Sequence, residues 1–445
     1  MFSRVALLVV AALLAMPARA DLYSAYVAYE KRDFETAYRQ YRELAELGQP
    51  VAQLNIAGMY ARGEGVPQSM PLAYAWASIA AESGDERAQK LADQLRPVLT
   101  PGALQIAAEL HEQFGRAALD ARLMPTISRE ATARGPEACV PVNVVRPRYT
   151  KAAARGGMEG DVYAEYVVMP DGRVHQPRIV FAAPRGVFDE SVRESVRQST
   201  FKPAMADGKA VACSNGIFYR FTWDDLNVVD NAGLRKWEKE IRTKAENGDV
   251  RAQVTYGMMI AGAPRLNRSR SEALPWFLKA AQAGESFAQF QIGSSLMKGW
   301  GCEPDVNKGL FWLRKAGEAD QPDAQVSLAG HALQGGLSDE NLKRAKGLLE
   351  RAAKQGHRDA KLYLAALLAT APSEGARDSK RALTLATEIL GKVADDPAAV
   401  EIRAAASAAA GDFAAATTDQ TKAIELAKKL GWDLAPQEER LARYR

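Results

Sequence analysis

Histidine and cysteine are scarce in this sequence, and the motifs that usually carry chemistry are missing. Four histidines and three cysteines occur among 445 residues. They form no Cys-x-x-Cys or His-x-x-x-His pair, so a zinc site is not expected. There is also no GxxxxGK phosphate-binding loop and no GxSxG nucleophile turn. We therefore predict no catalytic residues, no metal and no cofactor, with turnover of peptidoglycan, or activation of an enzyme that performs it, as an alternative hypothesis.

The chain also lacks a large excess of charge of either sign. Lys and Arg total 58 against 54 for Asp and Glu, which leaves a formal net charge of +4. Spread over this length without a dense basic run, that charge is too small to make nucleic acid an expected partner. Hydrophobic residues at 47% are ordinary for folded globular domains. At roughly 150 residues per domain, the length predicts about three units.

Long hydrophobic runs are absent except at the N-terminus. Arg4 precedes an unbroken apolar run, Val5 to Leu14, and Ala18-Arg19-Ala20 fits the small-x-small pattern of signal peptidase sites. The run is shorter than the roughly 20 residues that span a bilayer. We predict a cleaved signal peptide over residues 1–20 and a periplasmic protein that begins at Asp21 and has no membrane span. Inner-membrane anchoring by an uncleaved segment is the alternative.

An internal repeat of 36 residues is the strongest pattern in the sequence. Ala-Gln dipeptides, and one Ala-Lys variant, recur at this spacing in two parts of the chain: Ala52-Gln53, Ala88-Gln89, Ala252-Gln253, Ala288-Gln289, Ala324-Gln325 and Ala360-Lys361. Trp76, Trp276 and Trp312 share another position of this register, so we expect them in the core. Apolar residues at i, i+4 and i+8 predict two helices per unit. Such hairpins bury their apolar faces only when several of them stack.

These units resemble Sel-one-like repeats, relatives of the tetratricopeptide family. The glycine-bearing turns RGEGV at Arg62 to Val66 and KGWGC at Lys298 to Cys302 carry the resemblance. The outer segments, residues 21–47 and 396–430, resemble plainer tetratricopeptide hairpins. The resemblance implies two arrays that bind a protein partner, at 21–123 with a capping helix and at 232–445. A linker is expected near Met124 to Gly135, and Trp300 is a candidate partner contact.

The hydrophobic period changes from helical to alternating between residues 136 and 223. Asp171-Gly172 predicts a hairpin turn, and alternating apolar residues on both sides of it predict two strands. A short helix and a last strand, from about Lys209 to Phe221, follow. Cys139 and Cys213 bracket this segment, so we predict that they pair in an oxidising compartment. Cys302 is left over in a repeat turn, where we expect a structural role.

The order of two strands, a helix and a strand resembles the C-terminal domain of TonB. The matching residues are Pro147-Arg148-Tyr149, Ala154-Arg155, Gly157, Gly160, Val162, Asp171-Gly172, Phe188-Asp189 and Phe201-Lys202-Pro203. The resemblance implies that this domain binds an extended peptide of an outer-membrane receptor by strand addition. The candidate edge is the last strand, with the residues Val211, Cys213, Asn215, Ile217, Tyr219 and Phe221.

These observations predict a mostly α-helical fold. It is an α-solenoid of helical-hairpin repeats, interrupted by a small α+β domain of β-β-α-β order at 136–223. We expect a non-enzymatic periplasmic scaffold whose partners are proteins of the cell envelope. The alternative hypothesis is a TonB-like accessory or energy transducer in receptor-mediated transport across the outer membrane.

Overall fold

The chain folds into two compact units. The computed structural model describes residues 22–128, 139–206, 209–221, 226–227, 231–262, 269–391, 396–429 and 434–445. One unit contains residues 22–128 and 231–312, and the other contains 139–227 and 313–445. The predicted signal peptide, residues 1–20, lies outside the described residues. Within the described ranges, no helix is long and apolar enough to cross a bilayer.

Seven helices form residues 22–123, and each packs on a sequence neighbour. They are α1 (Leu22–Glu30), α2 (Phe34–Ala45), α3 (Pro50–Arg62), α4 (Met70–Ala81), α5 (Glu86–Leu95), α6 (Pro101–Phe114) and α7 (Arg116–Leu123). Trp76 is fully buried and its ring centroid lies 5.4 Å from that of Phe114, so α6 covers the end of this array. The predicted single capping helix is therefore three helices, α5 to α7, because Pro97, Pro101 and Gly115 interrupt it.

The strand domain follows in the second unit. Its elements are β1 (Val140–Asn143), α8 (Lys151–Arg155), β2 (Gly160–Val168), β3 (Val174–Ala183), α9 (Asp189–Gln198), β4 (Thr200–Lys202), β5 (Ala204–Ala206), β6 (Lys209–Val211), β7 (Cys213–Phe221) and β8 (Leu226–Asn227). The main sheet has the order β3-β2-β7-β8, and β1 pairs with β4 and β5 with β6. The predicted last strand is thus two strands, because β6 turns back on β5 while β7 pairs with β2.

One aromatic core holds the strand domain together. The rings of Phe188 and Phe221 stack with centroids 4.0 Å apart, and Tyr149 packs edge-on against both. Val192 and Val196 of α9 are buried against the same core, as their helical spacing predicts. The predicted disulfide between Cys139 and Cys213 is present, whereas Cys302 is a buried cysteine outside that disulfide.

Twelve α-helices follow in the described residues between 231 and 445. They are α10 (Asn231–Glu246), α11 (Val250–Gly262), α12 (Arg270–Gln282), α13 (Ser286–Lys298), α14 (Val306–Glu318), α15 (Pro322–Gln334), α16 (Asp339–Lys354), α17 (Arg358–Thr370), α18 (Ser379–Leu390), α19 (Pro397–Ala409), α20 (Phe413–Lys429) and α21 (Ala435–Tyr444). Within the second unit, each helix from α15 to α21 packs on the next. The fold is mostly helical, with one strand-containing region, as the sequence predicts.

A buried glutamine explains the Ala-Gln register. In four units the glutamine Nε2 donates a hydrogen bond of 3.1–3.2 Å to the carbonyl oxygen eight residues earlier. The pairs are Gln53–Ala45, Gln253–Ala245, Gln289–Ala281 and Gln325–Gly317. These carbonyls lie at the end of the preceding helix, where each also accepts a hydrogen bond from the backbone N–H three residues later, at 3.0–3.2 Å. The glutamine amide is therefore a second donor, which joins two successive helices through a shared carbonyl oxygen.

The position four residues before each glutamine caps the helix that carries it. The side chains of Gln49, Asp249 and Glu285 each accept a hydrogen bond from the backbone N–H three residues later, at 2.6–2.8 Å. Gln321 and His357 occupy the same position in the next two units and also accept from the first turn. The repeat thus keeps the cap while the side chain that provides it varies.

Two glycines fix the shape of each Sel-one-like turn. Gly63 and Gly299 end α3 and α13 in the left-handed conformation, with φ of 71° and 69°. Two residues later, Gly65 and Gly301 also have positive φ, and a Cβ at either would overlap the backbone of a neighbouring element. Only glycine fits these two positions without strain.

Residues 120–128 dock on the repeat at α13–α14 within the first unit. Trp312 Nε1 donates to the Leu123 carbonyl at 2.8 Å, and Lys308 Nζ donates to that of Met124 at 2.9 Å. Farther along, Ile127 forms an antiparallel bridge with Cys302. The predicted linker from Met124 is wrong for its first residues, because they pair with the turn after α13. Residues 129–135 lie outside the described part of the chain.

Candidate functional site

The six residues predicted for the peptide-binding edge do not form one surface. Cys213, Tyr219 and Phe221 are buried in the core of the strand domain, and Ile217 is partly buried against it. Val211 belongs to β6 and also packs against that core. Three of these five side chains are therefore inaccessible to an added peptide, and the other two are only partly accessible. What β7 offers a peptide is its backbone.

The backbone edge of β7 is only partly paired. Its first edge bonds to β2 over the whole strand, whereas its second edge pairs with β8 at Arg220 and Phe221 alone. At the other end, Asn215 Nδ2 donates to the Cys139 carbonyl at 3.1 Å, beside the disulfide. Within the described residues, β8 is the one strand beside that second edge, and the Gly216 N–H donates to Asn215 Oδ1 at 2.9 Å. Strand addition would extend the pairing along that edge beyond β8.

The predicted partner contact, Trp300, lies at the surface of its repeat turn. The side chain is 38% exposed, which is unusual for a large aromatic residue. Arg270 Cζ lies 4.7 Å and Lys298 Nζ 4.1 Å from the ring centroid. The ring is therefore held by two cations, whose charge would favour an acidic partner surface.

A cleft of about 700 Å³ within the second unit was not predicted from the sequence. One wall belongs to the strand domain, and its charged residues are four arginines and one aspartate: Arg178, Arg185, Arg193, Arg197 and Asp189. Three of these arginines form ion pairs within the domain, with Glu165, Glu190 and Glu194. Arg185 is exposed and forms no ion pair within the described residues.

The opposite wall of the cleft is built from the N-terminal ends of α15, α17 and α19. It carries three aspartates, Asp323, Asp359 and Asp396, with Arg358 and His357 between them. Arg358 pairs with Asp396, whose side chain is fully buried, and with Asp359 at 3.2 Å. These residues appear in the sequence as ordinary helix caps, which is why sequence analysis did not single them out.

Both ring nitrogens of His357 form hydrogen bonds in this wall. Its Nδ1 accepts a hydrogen bond from the Ala360 N–H at 3.2 Å, so the ring proton lies on Nε2. That Nε2 donates to Asp323 Oδ1, also at 3.2 Å. Burial alone would raise the pKa of Asp323, but this hydrogen bond and the charges of Arg185 and Arg178 lower it below its usual value. Asp323 is therefore ionised at neutral pH.

The residues that the structure describes include no obvious set of metal ligands. No group of three or more His, Cys, Asp or Glu side chains there could hold an ion. The histidine in the cleft uses both ring nitrogens within the protein.

Family models match two parts of the chain. The Sel1 repeat matches residues 50–85, 252–285, 286–321 and 322–357, and the model described as Gram-negative bacterial TonB protein C-terminal matches 145–222. The chain carries Sel1 repeats around a TonB C-terminal-like domain. The predicted resemblances are therefore confirmed for both regions.

Individual proteins match over shorter or looser stretches. Protein TonB of Pseudomonas aeruginosa is 31% identical over 72 residues, which are 16% of this chain and 21% of that protein. The chain thus spans about a fifth of that relative's length. A Sel1 repeat protein from Oxalobacter formigenes is 22% identical, with a TM-score of 0.36, over 44% of this chain and 83% of its own. The Escherichia coli protein c5321, described as a protective antigen with an SLR fold, is 19% identical, also with a TM-score of 0.36. The match covers 90% of this chain and 69% of that protein.

Proposed function

We propose that this chain is an exported, non-enzymatic scaffold that holds two kinds of protein partner in the cell envelope. The helical arrays, which we place at 21–123 and 232–445, bind a folded partner. The strand domain, which we place at 136–223, binds an extended peptide along β7. The observation that carries this proposal is the short strand β8, which among the described residues pairs with the second edge of β7 at Arg220 and Phe221, in a TonB-like domain between repeat arrays.

The strand-addition step is tested by hydrogen exchange on the full chain. Peptides copied from the N-terminal segments of outer-membrane receptors are added, and exchange of the β7 amides is followed by mass spectrometry. We expect slower exchange over residues 213–221, because an added strand bonds to that edge. The matched control is the same peptide with alternate backbone nitrogens methylated, which cannot pair. Equal protection by both peptides, or none by either, would contradict strand addition.

The repeat surface is tested with Trp300. Sel1 and tetratricopeptide repeats are typical protein-binding modules, and Trp300 is exposed in one of the turns. We expect Trp300→Ala to reduce capture of the envelope partner, because central aromatic contacts often contribute about 2 kcal/mol or more. The control is Phe413→Ala, which removes another exposed aromatic side chain, 53% accessible, in α20. If both variants capture the partner as the original chain does, Trp300 is not the contact.

A periplasmic location is supported by the disulfide, since stable disulfides are rare in a reducing cytosol. The second candidate function is a TonB-like accessory or transducer in outer-membrane transport, which the similarity of residues 145–222 to TonB favours. A transducer must stay attached to the inner membrane. N-terminal sequencing of the exported chain separates the two: a start at Asp21 supports the free scaffold, and a start at Met1 supports the transducer.

A further inference from the structure

The cleft in the second unit has walls of opposite charge. The strand-domain wall has more arginine than aspartate, and the wall of helix N-termini has more aspartate than arginine. Within the described residues, no ion pair or hydrogen bond joins an arginine of the first wall to an acid of the second. The charges act on one another only at longer range, since Arg178 and Arg185 help to lower the pKa of Asp323.

The opposite charges of the two walls determine which ligands the cleft can bind. A simple anion that approached the arginines would also meet three aspartates, and a simple cation would meet four arginines. A molecule with a carboxylate at one end and an ammonium group at the other would satisfy both walls together. The volume of about 700 Å³ lies within the usual range for ligand sites, roughly 300–1,000 Å³.

Hydrogen-bonding capacity remains on both walls. Arg185 has no ion-pair partner among the residues that the structure describes, and its guanidinium can bind a carboxylate through two parallel N–H donors. Opposite it, Asp359 contacts Arg358 through one oxygen, Oδ1. A carboxylate accepts about four hydrogen bonds, so this side chain retains sites for an ammonium donor.

We propose that this cleft binds a short peptide, or a peptide-like molecule, with a free amino and a free carboxyl end. The carboxylate lies against Arg185 and Arg178, and the ammonium group lies against Asp359 and Asp323. This site is separate from the edge of β7, so its occupancy does not depend on strand addition. The chain would then sense a small zwitterion in addition to its protein partners.

Calorimetric titration of the full chain tests this proposal, with trialanine as the probe. We expect saturable binding with a Kd of about 1 mM or tighter at low ionic strength. N-acetylated trialanine and trialanine amide each lack one charge and should bind about tenfold to a hundredfold more weakly. The capped peptide Ac-Lys-Ala-Glu-NH₂ presents both charges on side chains, as an internal protein segment would. Tighter binding of this peptide than of trialanine would overturn the assignment to free-ended peptides.

Variants locate the binding. Arg185→Gln and Asp359→Asn should each weaken trialanine binding about tenfold or more, because each removes one charged partner. Arg344→Gln, on the exposed face of α16, is the matched control and should bind as the original chain does. Thermal unfolding of all three variants checks that they fold. No saturable binding by the original chain, or equal binding by the Arg185 and control variants, would overturn the proposal.

Discussion

The helical repeats and the strand domain are stabilised in different ways. Each Sel1 unit uses the same buried glutamine amide and a helix cap at the same position, although the capping side chain varies. The strand domain has one aromatic core, around Phe188 and Phe221, and one disulfide. A change in one repeat therefore leaves similar contacts in its neighbours, whereas a change in the domain core has no such substitute.

The two regions also differ in what they present to a partner. The repeats expose side chains on a rigid helical surface, of which Trp300 is the largest aromatic in a turn. In the strand domain, alternate β7 side chains, Cys213, Ile217, Tyr219 and Phe221, pack into the core, and β7 presents backbone groups at its second edge. Recognition by side chains depends on the partner's sequence, while recognition by backbone depends mainly on an extended conformation. The chain therefore combines a repeat surface that selects partners by their sequence with a strand edge that accepts extended peptides of different sequences.

Removal of the disulfide should produce the largest difference between these regions. In the double variant Cys139→Ser/Cys213→Ser, a loop with a sequence separation of 74 is no longer closed. The chain-entropy model gives a loss of about 4 kcal/mol for a loop of this length. We expect β2 and β7 amides to exchange faster while amides of α2 and α3 keep their rates. Hydrogen exchange with mass spectrometry measures both regions in one sample.

Cys302 provides the control for that experiment. It is buried and outside the disulfide, so Cys302→Ala removes a cysteine without opening a loop. Its effect should be confined to the turn after α13. If β2 and β7 keep their protection in the double variant, the disulfide does not stabilise the strand domain, and the contrast with the repeats fails.

Substitution of the register glutamines should have a smaller, graded effect. Gln289→Ala removes the side-chain donor to the Ala281 carbonyl, which keeps the Gly284 N–H at 3.1 Å, so we expect a loss of about 1–1.5 kcal/mol. Gln325→Ala should cost less, because both acceptors of its amide, the Gly317 carbonyl and Asp320 Oδ1, keep a hydrogen bond from Arg351 Nη2, at 2.9 and 2.7 Å. Denaturant unfolding followed by circular dichroism compares the two variants. Equal losses would mean that packing, and not the carbonyl hydrogen bond, fixes the register.

Much of this fold follows from periodic patterns in the sequence. The spacing of Ala-Gln predicts the hairpins because the buried glutamine must reach a carbonyl at a fixed position in the previous helix. Alternation in β2 and the turn at Asp171-Gly172 likewise predict the hairpin of β2 and β3, since both act between near neighbours in the chain. Local geometry was therefore predictable from local residues.

Contacts between distant residues were not predictable. Nothing near Leu123 indicates that its carbonyl accepts from Trp312, which is 189 positions away. The acidic wall of the cleft comes from ordinary helix N-termini, including the caps His357 and Asp396, and nothing in the sequence places them opposite the arginines of the strand domain. The break in the last predicted strand was also missed, because alternation continues through Ala212 although the chain changes partner there.

The smallest predicted effect concerns a cap that differs between repeats. Burial raises the pKa of Glu285, although hydrogen bonds from the Ala288 and Phe287 N–H groups oppose the shift. A raised pKa in the folded state means that ionisation destabilises the fold. The penalty is absent below the unfolded pKa of about 4.3 and grows as the pH rises through the folded value. Gln49 and Gln321 hold the same position without a charge.

We therefore expect Glu285→Gln to stabilise the chain by about 1 kcal/mol near neutral pH, and to have little effect near pH 4. The reverse change, Gln321→Glu, should introduce the same pH dependence in the next repeat. Denaturant unfolding of both variants at the two pH values measures the effect. A gain from Glu285→Gln that is equal at both pH values would show that the cap differs in packing and not in charge. Because Gln321 and Glu285 occupy equivalent positions, opposite signs in the two variants would demonstrate that the repeats are physically interchangeable at this site.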